Sequence, residues 1–170
     1  MSVSALPDQD AVQPEILLNI AGGLAASVTG REKLERRGGR RYVRLLATAA
    51  YDAWLIEWYP GSDLDLHDHG GSSGAFHVVE GVLLEQYIDL DRPGSFETLE
   101  TLAFGPGHTR EMAPLRVHRV WNPGPLQAVT VHVYSPPLSS MNYFSLEEGG
   151  SVQLLHTRPV DAGSLEPSGA

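Results

Sequence analysis

Two histidines separated by a single residue carry the clearest chemical signal in this sequence. They are His67 and His69, in the segment His67-Asp68-His69. On a β-strand, residues i and i+2 point to the same face, so both imidazoles could reach one metal ion from a rigid support. A His-x-His pair also occurs where no metal binds. The pair therefore predicts a metal site only if other features agree.

A second group of polar side chains alternates along the segment AVTVHVYS. Thr130, His132 and Tyr134 share one face of this probable strand, and valines occupy the other face. A polar triplet opposite a valine stripe indicates a strand that lines a polar cavity. The alternative for His132 is a histidine of the core whose hydrogen bonds are satisfied there.

Arg44 lies on another probable strand, in the segment YVRLLAT, two residues after Tyr42. A guanidinium group can hold a carboxylate through two parallel hydrogen bonds. Arg44 also ends a basic run, REKLERRGGRRYVR, which contains seven of the twelve basic residues. The alternative is therefore a surface arginine on a solvated turn or helix end.

The elements that must position these side chains are mostly short strands. From Tyr42 onward, Val-, Leu- and aromatic-rich runs alternate with Gly- and Pro-containing turns, which predicts an all-β sandwich or barrel. Residues 14–28 place apolar side chains at helical spacing behind Pro14, which predicts one short amphipathic helix. We expect an N-terminal leader and helical segment at 1–41, a barrel at 42–159 and a flexible tail at 160–170.

Composition excludes several classes of protein. The net charge of −9 disfavours nucleic acid as a partner, because an acidic surface repels phosphates. The absence of cysteine excludes disulfides and cysteine-ligated metal sites. No apolar run approaches the ~20 residues that span a bilayer, and the N-terminus lacks a signal pattern. We therefore expect a cytoplasmic monomer that binds neither membranes nor nucleic acid.

The spacing around the first two histidines resembles the first motif of the cupin superfamily, G-x5-H-x-H-x3,4-E-x6-G. Five residues separate Gly61 from His67, and the motif continues through His69 to Gly81. The glutamate of the motif is missing, because Gly74 occupies its place. This resemblance implies a cupin β-barrel, also described as a double-stranded β-helix or jelly roll.

The second cupin motif ends in H-x3-N, which the segment VHRVWN matches with His118 and Asn122. Three histidines without a carboxylate are typical of the thiol dioxygenase branch of the cupins. The segments HDHGGSSGAFHVVEG, HRVWN, VHVYSPP and YVRLL resemble motifs of the cysteine dioxygenase type I family. That resemblance extends from about Tyr42 to Phe144.

The resemblance implies one Fe(II) per chain, bound by His67, His69 and His118. Three neutral ligands leave the full +2 charge, which favours an anionic thiolate as the next ligand. The implied substrates are L-cysteine and O2, and the implied product is cysteine sulfinate. Arg44 matches the arginine that holds the carboxylate of cysteine in that family, and we expect Tyr42 beside it.

The resemblance also assigns roles to the polar triplet. Thr130, His132 and Tyr134 match a Ser-His-Tyr relay, in which the phenol lies near the sulfur and O2. Met141 could close the mouth of the pocket. Animal members cross-link this tyrosine to a cysteine, but Gly74 stands at that position, as in bacterial-type members.

Three alternatives remain open. The substrate could be another small thiol, such as 3-mercaptopropionate or cysteamine. The protein could be a cupin module that binds a metal, including zinc or nickel, without catalysis. A metal-dependent isomerase on the same barrel would leave the matches at Arg44 and Tyr134 unexplained. The sequence does not decide whether a cis peptide occurs at Pro136-Pro137.

Overall fold

The computed structural model describes residues 11–28, 39–91, 100–148 and 150–160. Within these ranges the chain forms one helix followed by eleven strands, and no helix there is long and apolar enough to cross a membrane. The elements are α1 (Pro14–Ser27), β1 (Arg40–Ala47), β2 (Asp52–Trp58), β3 (Asp63–His67), β4 (Ser73–Glu80), β5 (Leu83–Asp89), β6 (Thr101–Phe104), β7 (Thr109–Met112), β8 (Arg116–Trp121), β9 (Ala128–Ser135), β10 (Ser140–Leu146) and β11 (Val152–Pro159).

The strands form two antiparallel sheets that enclose the core. A five-stranded sheet has the order β1-β2-β9-β4-β7, and a six-stranded sheet has the order β11-β10-β3-β8-β5-β6. Most neighbouring strands, such as β2 and β9 or β3 and β8, come from distant parts of the chain, so each sheet brings together residues that are far apart in sequence. The prediction of an all-β domain with one short helix is confirmed.

Helix α1 covers the outer face of the five-stranded sheet. Its buried residues Leu17 and Ala21 pack against Ala53, Ala75 and Val133. These three sheet residues point outward, and their neighbours in sequence point inward, as the alternation of a strand requires. The helix thus buries the valine stripe of β9 and makes β2 and β9 buried along their whole length.

The inner face of the five-stranded sheet packs against the six-stranded sheet. Trp54, Ile56 and Phe76 are fully buried there, together with Met112 and Val120. The same inner face carries the polar triplet of β9, so a polar cavity opens inside an otherwise apolar core. The sequence pattern of β9 predicted this division correctly.

Several elements differ from the sequence-based prediction. Strands β3, β7, β10 and β11 were not predicted as separate elements, and β1 begins at Arg40 rather than Tyr42. Residues 1–10, 29–38 and 161–170 lie outside the described ranges, so the proposed leader and tail stay predictions. Among the described residues, the peptide bonds Gly124–Pro125 and Ser135–Pro136 are cis. The second of them directly precedes the Pro136-Pro137 bond, which the sequence left undecided.

Candidate metal centre and its cavity

His67 and His118 face each other on two adjacent strands of the six-stranded sheet. His67 is the last residue of β3, and its Cα partner across the ladder to β8 is His118. Their ring centroids lie 4.5 Å apart. On the other side of β3, Tyr143 of β10 pairs with His67, so both neighbours of β3 fix the position of this histidine.

His69 reaches the same point from a turn rather than from a strand, which corrects the expectation that both histidines share one strand. β3 ends at His67, and Asp68 anchors the turn by accepting hydrogen bonds from the Gly70 backbone N–H and the Asn142 side chain, each at 2.9 Å. Gly70 has a φ of +59°, and a Cβ there would lie 2.4 Å from Oγ of Ser140. Glycine is therefore required for the turn that presents His69.

The three histidines converge on one point. One nitrogen of each ring lies within 4.8 Å of the corresponding nitrogens of the other two, and all three residues are buried. The ring centroid of His69 lies 5.2 Å from that of His67 and 5.0 Å from that of His118. The structure thus brings together the three residues that the sequence predicted as ligands, and they could hold a metal ion.

Hydrogen bonds occupy Nδ1 of His67 and of His118 and leave Nε2 of both rings available for a metal. Nδ1 of His67 contacts the Asp65 carbonyl oxygen at 2.7 Å and so carries the proton. Nδ1 of His118 donates in the same way to Oε1 of Glu85, at 2.8 Å. Nε2 of His118 is buried without a hydrogen-bond partner. An unpartnered buried nitrogen is costly unless something binds it, so this donor set fits a metal ion.

Burial disfavours the charged form of two of the three histidines, and a ligating imidazole must be uncharged. Burial, followed by electrostatic repulsion from His118, lowers the pKa of His67 and of His69 well below the usual value. These two rings therefore each have a lone pair available at ordinary pH.

A carboxylate supports this centre from behind the ligands. Glu85 of β5 is fully buried, and its second oxygen accepts a hydrogen bond from Nε of Arg110 at 3.2 Å. Burial raises the pKa of Glu85, but the hydrogen bond from His118 and the charge of Arg110 outweigh that effect and lower it. An anionic partner fixes the tautomer of a ligating histidine and increases its basicity. The sequence analysis missed Glu85.

Replacing Glu85 with glutamine should weaken metal binding without removing a ligand. The amide oxygen can still accept from His118, but the negative charge is lost, and Arg110 loses its counter-ion. We expect metal affinity to fall about 10- to 100-fold, as for other changes behind a ligating histidine. Competition titration against a chelator measures this change.

The matched control is Asp89→Asn on the same strand. Asp89 forms a two-point ion pair with Arg116 of β8, at 2.7 and 3.0 Å. This variant loses the same charge from the same pair of strands, so its metal affinity should stay within about twofold of the wild type. Equal losses in both variants would show that Glu85 acts only through the overall charge.

The polar triplet of β9 forms a continuous hydrogen-bonded chain beside the three histidines. Nε2 of His132 lies 2.9 Å from Oγ1 of Thr130, and Nδ1 lies 3.1 Å from Oη of Tyr134. The indole N–H of Trp58 donates to Oγ1 of Thr130 at 2.9 Å. The ring centroid of Tyr134 lies 4.9 Å from that of His69, so the chain ends next to the candidate metal centre.

Trp58 gives this chain a direction. Its N–H can only donate, so it occupies one lone pair of the Thr130 hydroxyl and leaves the threonine proton free to point at Nε2 of His132. In the tautomer in which Thr130 donates to Nε2, Nδ1 of His132 carries the ring proton and donates to Tyr134, and the phenol proton of Tyr134 is free to point into the cavity. The contact of Trp58 with Thr130 was not predicted from the sequence.

Burial sets the charge state of both groups. Burial, assisted by the charge of His118, lowers the pKa of His132 to about 3. Burial, assisted by the negative charge of Asp52, raises the pKa of Tyr134 above its usual value. At ordinary pH the imidazole is neutral and the phenol holds its proton.

The depressed pKa of His132 makes folding sensitive to acid. Below about 6.5 the unfolded chain protonates this histidine, whereas the folded chain does so only near 3, so falling pH favours unfolding. Glutamine does not titrate, so the free energy of unfolding of His132→Gln should fall less steeply with falling pH than that of the wild type. The difference between the two slopes should be about 1.4 kcal/mol per pH unit below about 6.5. Denaturant titrations across pH measure the slopes.

The control for this slope is His108→Gln, since the His108 side chain is exposed. Its unfolding free energy should follow that of the wild type at every pH. Parallel curves for the wild type and His132→Gln would mean that His132 gains its proton as readily in the folded chain as in the unfolded chain.

A small cavity opens onto the histidines and Tyr134. Its empty space, including the opening to solvent, is about 410 Å³. Tyr42 and Met141, both predicted to contact substrate, lie in its wall. The other side chains of the wall are aromatic or aliphatic: Ile56, Trp58, Leu64, Val120, Leu138 and Tyr143.

Arg44 does not lie in the wall of this cavity. Its Nη2 forms an ion pair with Oδ2 of Asp52 at 3.1 Å, and its guanidinium stacks on the ring of Trp54 at 4.7 Å. Asp52 is fully buried and also accepts hydrogen bonds from the Trp54 indole at 2.9 Å and the Leu138 backbone N–H at 3.2 Å. The assignment of Arg44 to the substrate carboxylate stays a prediction.

The absence of a side chain at Gly74 leaves room for the ring of Tyr134. The two residues are Cα partners across the β4–β9 ladder. A Cβ at position 74 would lie 3.0 Å from Cδ1 of Tyr134 and 2.7 Å from Cε of Met112. A side chain at this position would have to displace one of them.

The two antiparallel sheets and the buried group of three histidines define the class of cupin metal-binding proteins. Within that class, comparison with known families identifies the branch. The chain belongs to the cysteine dioxygenase type I family, whose sequence model matches residues 26–147. The match includes every residue that the preceding paragraphs place at the centre.

Solved structures share the fold. A recombinant oxalate oxidase in complex with glycolate has 19% sequence identity and a TM-score of 0.52 over 67% of this chain and 62% of that chain. A cupin superfamily protein from Desulfitobacterium hafniense has 11% identity and a TM-score of 0.48, over 66% and 86% of the two chains. A protein from Bacillus halodurans has 22% identity and a TM-score of 0.48, over 61% and 74%. At such identities the likeness concerns the fold alone.

Proposed function

We propose that this protein is an Fe(II)-dependent thiol dioxygenase that converts L-cysteine and O2 to cysteine sulfinate. The observation that carries the proposal is the convergence of three buried histidines beside a phenol at the end of a hydrogen-bonded chain. Membership of the cysteine dioxygenase type I family supports the reaction class. Iron and the identity of the thiol are parts of the proposal.

The donor set is compatible with iron. Imidazole nitrogen suits Fe(II), and three ligands on one side of the ion leave open positions on the other. Zinc and nickel fit the same nitrogens, so the choice of iron rests on the family. When bound, Fe(II) would hold the thiolate and O2 side by side and mediate electron transfer between them.

The overall reaction balances without a further reductant. A thiolate and one O2 contain all the atoms of a sulfinate, and the two electron pairs that form S–O bonds come from sulfur. The thiol proton must leave, because a sulfinate is anionic at ordinary pH. The protein therefore has to release that proton and to exclude competing reactions with water.

Tyr134 is suited to positioning the reacting atoms, while the thiol proton leaves to solvent as the sulfur binds the metal as a thiolate. Its hydroxyl keeps its proton, because burial raises its pKa, and His132 fixes the orientation of that hydroxyl. A phenol that points into the cavity can donate a hydrogen bond to an oxygen or sulfur atom there. Apolar side chains such as Leu64, Val120 and Leu138 exclude bulk water from the same space.

A different small thiol is the second candidate substrate. The ion pair between Arg44 and buried Asp52 favours it, because a guanidinium already bound to one carboxylate is a poorer partner for another. Cysteamine, which has no carboxylate, would need no arginine at all. A cupin module that binds metal without catalysis is the outcome if no thiol supports turnover.

Oxygen uptake by the metal-loaded protein tests the proposal. The protein would be loaded with Fe(II), Zn(II) or Ni(II) and mixed with cysteine, 3-mercaptopropionate or cysteamine. We expect O2 consumption only with Fe(II), fastest with cysteine, and formation of the sulfinate in equal amount. If none of the three thiols supports O2 consumption, the dioxygenase assignment is rejected.

A further inference from the structure

We propose that Thr157 is a positioning residue of the metal centre, which acts on His69 through Asn142 and Asp68. Thr157 lies on β11, an edge strand of the six-stranded sheet, and outside residues 26–147, which match the family. The proposal requires that the three histidines bind a metal ion. It requires neither iron nor a particular reaction.

His69 differs from the other two candidate ligands in how its ring is held. His67 and His118 lie on strands, and an oxygen atom accepts a hydrogen bond from Nδ1 of each ring. His69 lies beyond the end of β3, and its buried Nδ1 has no such partner among the described residues. The direction of the His69 ring therefore depends on the turn that carries it.

Asn142 of β10 holds this turn at two points. The backbone N–H of Asp68 donates to the Asn142 carbonyl oxygen, and the Asn142 amide donates to Oδ1 of Asp68, each at 2.9 Å. The same oxygen of Asp68 accepts from the backbone N–H of Gly70. Asp68 and Gly70 are the sequence neighbours of His69, so these contacts restrict the backbone on both sides of the ligand.

Thr157 fixes the orientation of the Asn142 amide. Its Oγ1 lies 2.6 Å from Oδ1 of Asn142, and the two residues are Cα partners across the β10–β11 ladder. An amide oxygen can only accept, so the threonine hydroxyl donates. With Oδ1 bound to Thr157, the NH2 group points at Asp68. Without the hydroxyl, the amide can rotate and present its oxygen to the Asp68 carboxylate, where two acceptors cannot form a hydrogen bond.

The hydrogen bond is the main contact through which Thr157 can influence the centre. The Thr157 side chain is exposed, as is nearly all of β11, so it contributes little to the apolar core. The strand β10 transmits the effect because it lies between β3 and β11 in the sheet. Groups behind the ligands of a metal site orient those ligands and thereby raise metal affinity.

Thr157→Val tests the proposal, because valine keeps the size of threonine and lacks the hydroxyl. The affinity of the full chain for Co(II) would be measured by competition with a chelator, without thiol. We expect the affinity to fall about 3- to 10-fold, the effect of losing one neutral hydrogen bond. Thr157→Ser keeps the hydroxyl and should restore the affinity to within about twofold of the wild type.

The matched control is Thr101→Val on β6, the opposite edge strand of the same sheet. Thr101 is also exposed, and its Oγ1 accepts a hydrogen bond from the side-chain amide of its cross-strand partner Gln86 at 3.0 Å. The substitution and the type of contact are therefore the same at the two edges. In this variant the Co(II) affinity should stay within about twofold of the wild type.

A double-mutant cycle tests the route from Thr157 to His69. Asn142→Ala removes the side chain through which Thr157 acts, so it should weaken Co(II) binding at least as much as Thr157→Val does. Adding Thr157→Val to Asn142→Ala should then change the affinity by less than about twofold. If Asn142→Ala does not fold, Asp68→Ala takes its place in the cycle with the same expectation.

Four results would overturn the inference. They are a wild-type affinity in Thr157→Val, an equal loss in Thr101→Val, an equal loss in Thr157→Ser, and a full effect of Thr157→Val in the Asn142→Ala background. All are measured without O2 or a thiol substrate. A protein that shows the expected losses but consumes no O2 with any thiol would therefore reject the proposed function and leave this inference standing.

Discussion

His118→Ala should abolish metal binding and oxygen uptake together. The substitution removes one of three candidate ligands and leaves one of the two oxygens of buried Glu85 without its hydrogen-bond partner. Because changes behind a ligand cost about 10- to 100-fold in metal affinity, we expect the loss of the ligand itself to exceed 100-fold. Metal content after gel filtration and oxygen uptake at saturating thiol would both approach background.

His108→Ala controls for the loss of a histidine as such. His108 is exposed in the turn before β7, where its ring hydrogen-bonds to the backbone of Gly105 and lies at the edge of the Phe104 ring, away from the three candidate ligands. This variant should retain full metal content and full turnover. Retention of tightly bound iron in His118→Ala would mean that the three imidazoles do not form the metal site.

Tyr134→Phe should separate turnover from binding. The substitution removes the hydroxyl that accepts from His132 and points into the cavity, and it leaves the ring and all three candidate ligands in place. Removing one positioned hydrogen-bond donor from a site costs about 10²- to 10³-fold in kcat, so we expect kcat to fall by about 100-fold or more. Metal content should not change, and KM should change by less than kcat.

Tyr51→Phe provides the corresponding control. Tyr51 packs against the cluster beneath α1 on the outer face of the five-stranded sheet, away from the cavity. The loss of its hydroxyl should leave kcat unchanged. Full kcat in Tyr134→Phe, measured alongside this variant, would reject a role for the phenol in proton movement or in positioning the reacting atoms.

The sequence predicted those parts of the site that depend on local periodicity. The one-residue spacing of Thr130, His132 and Tyr134 on a strand forces their side chains to one face, and the structure joins them by hydrogen bonds. The motif spacings likewise indicated His67 and His118, which are cross-strand partners. His69 joins these two residues although its backbone is a turn, because the motif specifies residue type and not strand length.

The parts that the sequence did not reveal depend on register between distant strands. Glu85 meets His118 only because β5 pairs with β8, 33 residues further along the chain. Trp58 meets Thr130 across 72 residues for the same reason. One signal was available in the sequence. Glu85 is an acidic residue two positions after the apolar Leu83, so the two side chains share one face of β5, and both are buried.

The ion pair that Arg44 forms could also not be predicted from the sequence. The motif YVRLL identified the residue, but its ion pair with Asp52 depends on the register of the β1–β2 ladder, which shifts between Arg44 and Leu46. A basic run in sequence does not show which of its charges are compensated.

The most direct test of the dioxygenase assignment is the fate of the oxygen atoms. Fe(II)-loaded protein would be incubated with cysteine under ¹⁸O2 in ordinary water, and the product analysed by mass spectrometry. The account predicts cysteine sulfinate in which both oxygen atoms are labelled, formed in equal amount to the O2 consumed. Unlabelled or singly labelled sulfinate, or disulfide as the only product, would contradict it.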